Sequence, residues 1–583
     1  MSSVTSPSLV PNRDEISAPI PSSPYLGDGG RHYGADDEDN YIQLTRTAST
    51  LSERMQNLGL VPTKTGENGR LLETETDLRI EIHMIMKSSI PLIATFLLQY
   101  SLTVASVYAV GNLGPNELAA VSLSNLLANI SSYGIIQGIA SSLSTLCPQA
   151  YGRNDLRSVG LQSMRCLCLL LILYIPIFVI WYYGSYPLLS VLVPEQEAAL
   201  LASRFLQRLV FGVPGFIIFE VTKQYLQAQG IFQASTYVLI VCAPLNVLLN
   251  LELVWGHNIG VGFIGAPTAV VITNWVMALA LVGYAVFING YQCWCGFSRD
   301  IFHHWSRLLS LAGPGVLMIE AEWVAFEIIS LASARFGTAS LAAQSIVATT
   351  CVTVYQIPYA ISVAASTRIA WYIGSACQSA AVIATKASFI VALSMGALNC
   401  SLLLAFRFPI AHLFTHETDV LDMAANALVI ASAYQLADGL SCVAGGILRG
   451  QGRQYIGGWL NLICYYIIAL PISYFCGFVL HLELAGLWLG MMAALTTVAI
   501  GSCTAVLFCD WSALIQKSIE DGLIEYHQNR LAPISSDLSA STITDVDFDI
   551  TSVVSRGVHS TSGMVDHNFL APMISNDADL LRK

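Results

Sequence analysis

Three carboxylates crowd into nine residues of an otherwise apolar stretch: Glu320, Glu322 and Glu327 in IEAEWVAFE, residues 319–327. A fourth, Asp438, stands in a second apolar run. At the centre of a bilayer helix a charged side chain is unfavourable by about 2.5–3.5 kcal/mol on insertion scales. Protonating a glutamate at pH 7 costs about 3.7 kcal/mol, starting from its unperturbed pKa of about 4.3. The two states are close to balance. A buried carboxylate without a cation beside it therefore takes a proton or waits for a cationic ligand. No lysine or arginine within these runs is expected to pair with the acids; the nearest, Arg335, falls at an outer loop. The chemistry implied is exchange, in which a proton and an organic cation compete for the same oxygens.

Helical phase separates the three glutamates. Glu320 and Glu327 are seven residues apart and share a face, whereas Glu322 points about 200° round the helix from Glu320. Three acids on a regular helix cannot all line one cavity. Pro314 and Gly315 lie just before them, where they could bend the helix. Glu220 and Glu252 fall near opposite ends of other apolar runs and are expected to reach water. Polar residues elsewhere in the runs include Gln99, Asn125, Asn129, Gln137, Asn246, Asn250, Asn274 and Gln344. Gln99, Asn125, Asn250 and Gln344 are candidates for a cavity lining; interhelical hydrogen bonding is the competing role for each. Trp323 and Tyr355 offer π faces to a cation.

The elements that must carry these groups are membrane helices. The 583 residues are 54% hydrophobic and 11% charged, with mean hydropathy +0.59, against about a quarter charged in soluble domains. That composition excludes a soluble enzyme. Apolar runs of about 20 residues match roughly 30 Å of hydrocarbon, and they lack the ten-residue alternation of a membrane barrel. The expected architecture is all-α and polytopic, with twelve spans near 89–110, 118–145, 160–184, 199–221, 232–255, 262–288, 308–333, 341–365, 384–406, 426–447, 455–478 and 484–508. Loops after the even spans collect Arg153, Arg157, Arg165, Lys223, Arg299, Arg307, Arg368, Lys386, Arg449 and Arg453. The alternate loops hold Arg335 and Arg407. This bias places both termini in the cytoplasm.

Residues 1–80 are rich in Ser, Pro, Gly and Asp and read as a disordered cytoplasmic tail, as does the chain from about Asp521. The tails hold most of the net charge of −12, and neither has the basic run of a nucleic-acid arm or a lipid-binding patch. Between them the organisation is an N-lobe over 81–290, a linker over 291–307, a C-lobe over 308–512 and a C-terminal tail over 513–583. No cleavable signal sequence is read at the N-terminus.

The two lobes are repeats. GPNELAAVSL at 114–123 matches GTASLAAQSI at 337–346, and Pro91 matches Pro314 at the same offset of 223. LQAQG at 226–230 matches LRGQG at 448–452, and Gly265 matches Gly486. Six helices is an even number, so the repeats run parallel, related by an axis along the membrane normal, with a substrate site between them near the midplane.

Other motifs carry less. His412 and His416 have i, i+4 spacing but no third ligand nearby, and the fourteen cysteines show no metal spacing. GGILRGQG at 445–452 follows a membrane helix rather than a strand, so it does not read as a phosphate cradle. No metal, no enzymatic cofactor and no hydrolytic machinery is expected.

In order, CPQAYGRND (147–155), PGF with QYLQAQG (214–230), EWVAFE (322–327), IPYAISVAASTRI (357–369) and GGILRGQGRQ (445–454) resemble the multidrug and toxic compound extrusion (MATE) family, in its eukaryotic, fungal-like branch. The resemblance covers roughly residues 81–510. It implies two lobes forming a V, alternating access, and expulsion of organic cations or other xenobiotics in exchange for H⁺ or Na⁺, with H⁺ the commoner ion in that branch. Glu322 and Glu327 match the acidic pair of the family's seventh-helix pattern and Asp438 its tenth-helix carboxylate; Glu320 has no counterpart. The first-helix aspartate of bacterial members is missing from LTVASVYAVGNLG, and the eighth helix has Thr349 and Thr350 where some animal members carry a glutamate. The expectation is a monomeric antiporter of the plasma or vacuolar membrane with Glu322, Asp438 and Glu327 as exchange residues. The competing readings are Na⁺ coupling, a flippase for lipid-linked sugars, which would want basic residues in the cavity, and a membrane scaffold acting through its tails.

Overall fold

The computed structural model describes residues 76–531 apart from 112, 193–195 and 257–259. The long apolar runs all become helices, because inside a bilayer every backbone donor must find its acceptor within the segment. The N-lobe comprises α1 (Leu78–Gly111), α2 (Asn116–Gly152), α3 (Leu156–Ser190), α4 (Gln196–Ala228), α5 (Gln233–Trp255) and α6 (Gly262–Phe287). The C-lobe comprises α7 (Ser306–Ser333), α8 (Thr338–Gly374), α9 (Gln378–Phe414), α10 (Thr418–Gly450), α11 (Gln454–Val479) and α12 (Glu483–Leu507). Eleven of these are long and apolar enough to cross a membrane. The acid-bearing α7, 28 residues long, completes the expected twelve.

The helices outrun their apolar cores. α1 begins eleven residues before the expected 89 and α8 continues nine beyond 365. Hydropathy marks only the stretch in hydrocarbon, whereas these extensions are held by polar contacts. The end that carries them, where α1 begins and α12 ends, is called the base here. At the base the two lobes pack tightly. Arg368 on α8 clasps Glu81 on α1 through Nε and Nη2 at 2.8 and 2.7 Å, and the Tyr372 hydroxyl donates to the same carboxylate at 2.7 Å. The Trp371 indole donates to the Ala228 carbonyl, and Gln149 to that of Gly450. The outer half of α2, residues 116–128, packs instead on α1 and α4 of its own lobe.

The repeat is visible in the packing. Pro91 and Pro314 both lie inside continuous helices. Each leaves a carbonyl facing the corresponding helix of its lobe: Thr236 on α5 donates to Pro91 O at 2.7 Å, and Gly458 on α11 stands against Pro314 O.

Contrary to the expected disorder from Asp521, the chain continues as α13 (Trp511–Leu531) beneath the base. Buried Glu525 accepts from Gln162 at 2.6 Å and pairs with Arg153 at 3.7 Å, while Asp521 pairs with Arg307 at 3.3 Å. The compositional signal failed because α13 is polar overall and gains its order from arginines far away in sequence. The rest of both predicted tails lies outside the described residues.

Candidate functional site in the C-lobe

α10 is the central helix of the C-lobe, packed on α8, α9 and α12. Small residues make this possible. A Cβ on Gly446 would overlap Ser362 Oγ, and one on Gly450 would stand 2.6 Å from the Ser366 carbonyl, so α8 and α10 touch through their backbones. That approach buries Asp438, 3% exposed, about three turns or more from either end of α10. Its Oδ2 is buried and has no hydrogen-bond partner.

Glu322 lies on α7, half-buried, within electrostatic range of Asp438. Tyr465 on α11 lies beside its carboxylate. Tyr355 on α8, Tyr434 on α10 and the thiols of Cys351 and Cys442 lie within the field of Asp438. Tyr355 stacks on Tyr359 with ring centroids 5.8 Å apart, and Tyr359 packs edge-on to Phe96 of the N-lobe at 4.8 Å. Two carboxylates thus lie in one another's field within a cluster, called the chamber, whose other members are mostly phenol rings and thiols.

The expectation that no base stands near these acids is overturned. Arg449, counted as a loop residue because it falls just past the tenth span's expected end at 447, is in the last turn of α10 and 8% exposed. Its Nη2 donates to Ser362 Oγ at 2.7 Å, and its charge reaches Glu322. Arg368, Arg165 and Lys223, also counted as loop charges, are 1%, 1% and 4% exposed. Their side chains find acceptors inside the fold, which a count by sequence position does not register.

The three seventh-helix glutamates do separate by phase. Glu322 faces Tyr465 and Asp438, whereas Glu320 rests against Gly134 of α2. Glu327 is half-buried, and no ion pair or hydrogen bond is recorded for it among the described residues. Of the proposed lining, Tyr355 is in the chamber. Trp323 is half-buried beside Glu322 in sequence, and Asn125 is half-buried on α2. Gln344 and Asn250 are structural. Gln344 bonds Ser330 at 3.2 Å and accepts from the Trp488 indole at 2.8 Å. Asn250 donates to the carbonyl and side chain of Asn246 one turn back.

The N-lobe holds a different arrangement. Glu220 does not reach water as expected: it is 3% exposed, and Lys223 pairs with it at 2.7 Å. Gln99 donates to Glu220 at 2.9 Å and accepts from Lys223 at 3.3 Å, and the ammonium lies 5.2 Å from the Phe96 ring centroid. Gln99 thus serves an ion pair. Sequence reasoning missed it, although the i, i+3 spacing of Glu220 and Lys223 was a usable signal.

Comparison with known proteins agrees with this architecture. The MatE family profile matches twice, at residues 91–251 and 314–475, with starts 223 residues apart (314 − 91), the offset of the internal repeat. An uncharacterized transporter of Saccharomyces cerevisiae is 42% identical over 78% of this chain, a match that spans 66% of the yeast protein. Protein DETOXIFICATION 17 of Arabidopsis thaliana is 30% identical over 77% of this chain and 95% of its own length. Multidrug and toxin extrusion protein 1 of Danio rerio is 26% identical over 76% of this chain and 74% of its own. The crystal structure of the eukaryotic MATE transporter AtDTX14 superposes with a TM-score of 0.72 at 24% identity, covering 76% of this chain and 99% of that one. With its doubled six-helix lobes and the family profile in both, this chain belongs to the MATE family of multi-pass membrane transporters.

Proposed function

We propose that the protein is a proton-coupled antiporter that expels organic cations or other small xenobiotics by alternating access. The observation that carries this reading is the shared chamber of Glu322 and Asp438, with one Asp438 oxygen buried and unpartnered. Glu322 lies in the field of one guanidinium, Arg449, and Asp438 in the field of Glu322, so with both acids ionised the group carries a single net negative charge. One proton or one organic cation neutralises it, so the two compete, and binding of either releases the other. Tyr355 and Tyr465 supply π faces for a cation. Relatives named for multidrug and toxin extrusion support the substrate class. Asp438 and Glu322 share the exchange role, with Glu327 as an outer acid on the α7 face away from Glu322.

The Glu81–Arg368–Tyr372 cluster is the gate of the cycle. It joins α1 to α8 across the lobes and is fully buried. Removing one partner of such a pair typically costs about 3–5 kcal/mol. It must part and hydrate whenever the base opens. The arginine bias supports a cytoplasmic base, and in that reading the arrangement seen here is closed toward the cytoplasm. A flippase for lipid-linked phosphates would want a basic cluster in the chamber. Among the described residues Arg449 is the one base shown beside these acids, and its guanidinium already donates to Ser362.

Purified protein in vesicles tests the coupling ion. A fluorescent organic cation should move uphill under an imposed pH gradient and stay in place under a Na⁺ gradient alone. Transport driven by Na⁺ at uniform pH would replace the proton with Na⁺ in this reading.

A further inference from the structure

Glu320 plays no part in the exchange chamber, yet its placement is the most specific of the three seventh-helix acids. Its Oε1 is buried and has no hydrogen-bond partner. It sits in a notch of the opposite lobe. A Cβ on Gly134 of α2 would overlap Oε1, and the same Cβ would stand 3.1 Å from the Asn129 carbonyl oxygen. Gly134 directly follows the π-turn Asn129–Tyr133, in which the Asn129 carbonyl accepts from the Gly134 N–H. A carbonyl oxygen has a second lone pair. The oxygen of Glu320 therefore points into a pocket whose nearby polar group is an acceptor.

An ionised carboxylate in that position leaves its buried oxygen without a donor and bears a desolvation cost. A protonated carboxyl is itself a donor. The titratable groups around it are few. Tyr466 on α11 lies within its field. Tyr133 on α2 is occupied by ring contacts with Trp181 and Phe216. Glu322 and Glu327 are on its own helix, Glu322 on another face. None offers a positive charge.

We infer that Glu320 is a positioning residue that holds a proton while the lobes are closed at the base, its carboxyl donating across the Gly134 notch to the Asn129 carbonyl. When α7 leaves α2, water reaches the carboxyl and the proton is lost to it. Proton binding is then linked to lobe closure. The closed-base state binds the proton more tightly, so it gains population as pH falls and loses it as pH rises. The inference does not depend on the assignment of Glu322, because it concerns a contact between lobes rather than the exchange chamber.

The test follows the base directly. Labels at exposed Gln233 of the N-lobe and Gln378 of the C-lobe report its opening by distance in lipid-reconstituted full-length protein across pH. Infrared spectra of the same samples report protonated carboxyl groups. In the wild type the closed-base population grows as pH falls, together with a protonated-carboxyl band. Glu320→Gln, whose amide donates permanently, should keep the base closed, lose its share of the band and flatten that part of the pH response. Gly134→Ala leaves Glu320 present but pushes its carboxyl from the notch. It should open the base and abolish the linked pH response, and the added Glu320→Ala change should relieve the overlap. In Glu322→Gln the Glu320 band must persist. A Glu320→Gln protein whose base opens with pH as the wild type does, with an unchanged band, overturns the inference. So does a wild-type base that ignores pH.

Discussion

The two lobes descend from one repeat pattern but treat their buried charge in opposite ways. In the N-lobe, Lys223 at 2.7 Å and Gln99 at 2.9 Å both donate to Glu220 Oε1, so the acid has a cation of its own and the pair carries no net charge. In the C-lobe, Asp438 keeps an unpartnered oxygen and lies in the field of Glu322, a second acid. A satisfied buried pair holds helices in place, whereas an unsatisfied carboxylate takes up whatever cation arrives. The comparison teaches that burial of an acid in a membrane helix does not by itself mark an exchange site. What marks it is the missing partner together with a second acid in the same field.

Variants break or sharpen this contrast, and the largest effect falls in the C-lobe. Asp438→Asn removes a charge that nothing else in the chamber replaces. Cation efflux should fall to the level of empty vesicles while the protein still folds, as monodisperse elution in detergent would show. Next comes the N-lobe pair. Lys223→Met strands Glu220 in a buried site and should destabilise the protein by about 3–5 kcal/mol, whereas Lys223→Met with Glu220→Gln should recover much of that loss. Thermal denaturation in detergent reads both. Transport by the double variant should stay close to the wild type if the pair is structural. Third, Arg368→Met should shift the equilibrium toward an open base, raising the accessibility of Gly152-facing Trp371 to a water-soluble quencher. The smallest effect is expected of Gln344→Leu. It removes the acceptor of the Trp488 indole and should lower stability by about 1 kcal/mol, with substrate affinity unchanged.

Much of this was legible in the sequence. The twelve spans, the repeat offset and the phase difference between Glu320 and Glu322 follow from length and helical geometry alone. Asp438 stood out because an acid inside an apolar run has few bland uses. Arg449 did not, because it falls just past the apolar run that ends at 447; only the helix packing shows that the glycines around it let α8 and α10 touch and keep the arginine inside. Lys223 and Arg368 were misread for a related reason. Position near a helix end suggests water, but Glu81 lies 287 residues from Arg368 and no local pattern announces the pairing. Gln344 and Asn250 show the limit from the other side: a polar residue in a membrane helix has a partner or a cavity, and periodicity alone gives neither its neighbour nor its direction in the bundle.

The central claim is that Glu322 exchanges its proton for the substrate. Wild type and Glu322→Gln, reconstituted at equal density, are compared for uphill movement of a fluorescent organic cation under an imposed pH gradient. The account predicts pH-driven transport in the wild type and its loss in the variant, with folding intact. A Glu322→Gln protein that transports like the wild type, and still answers to the pH gradient, would contradict it.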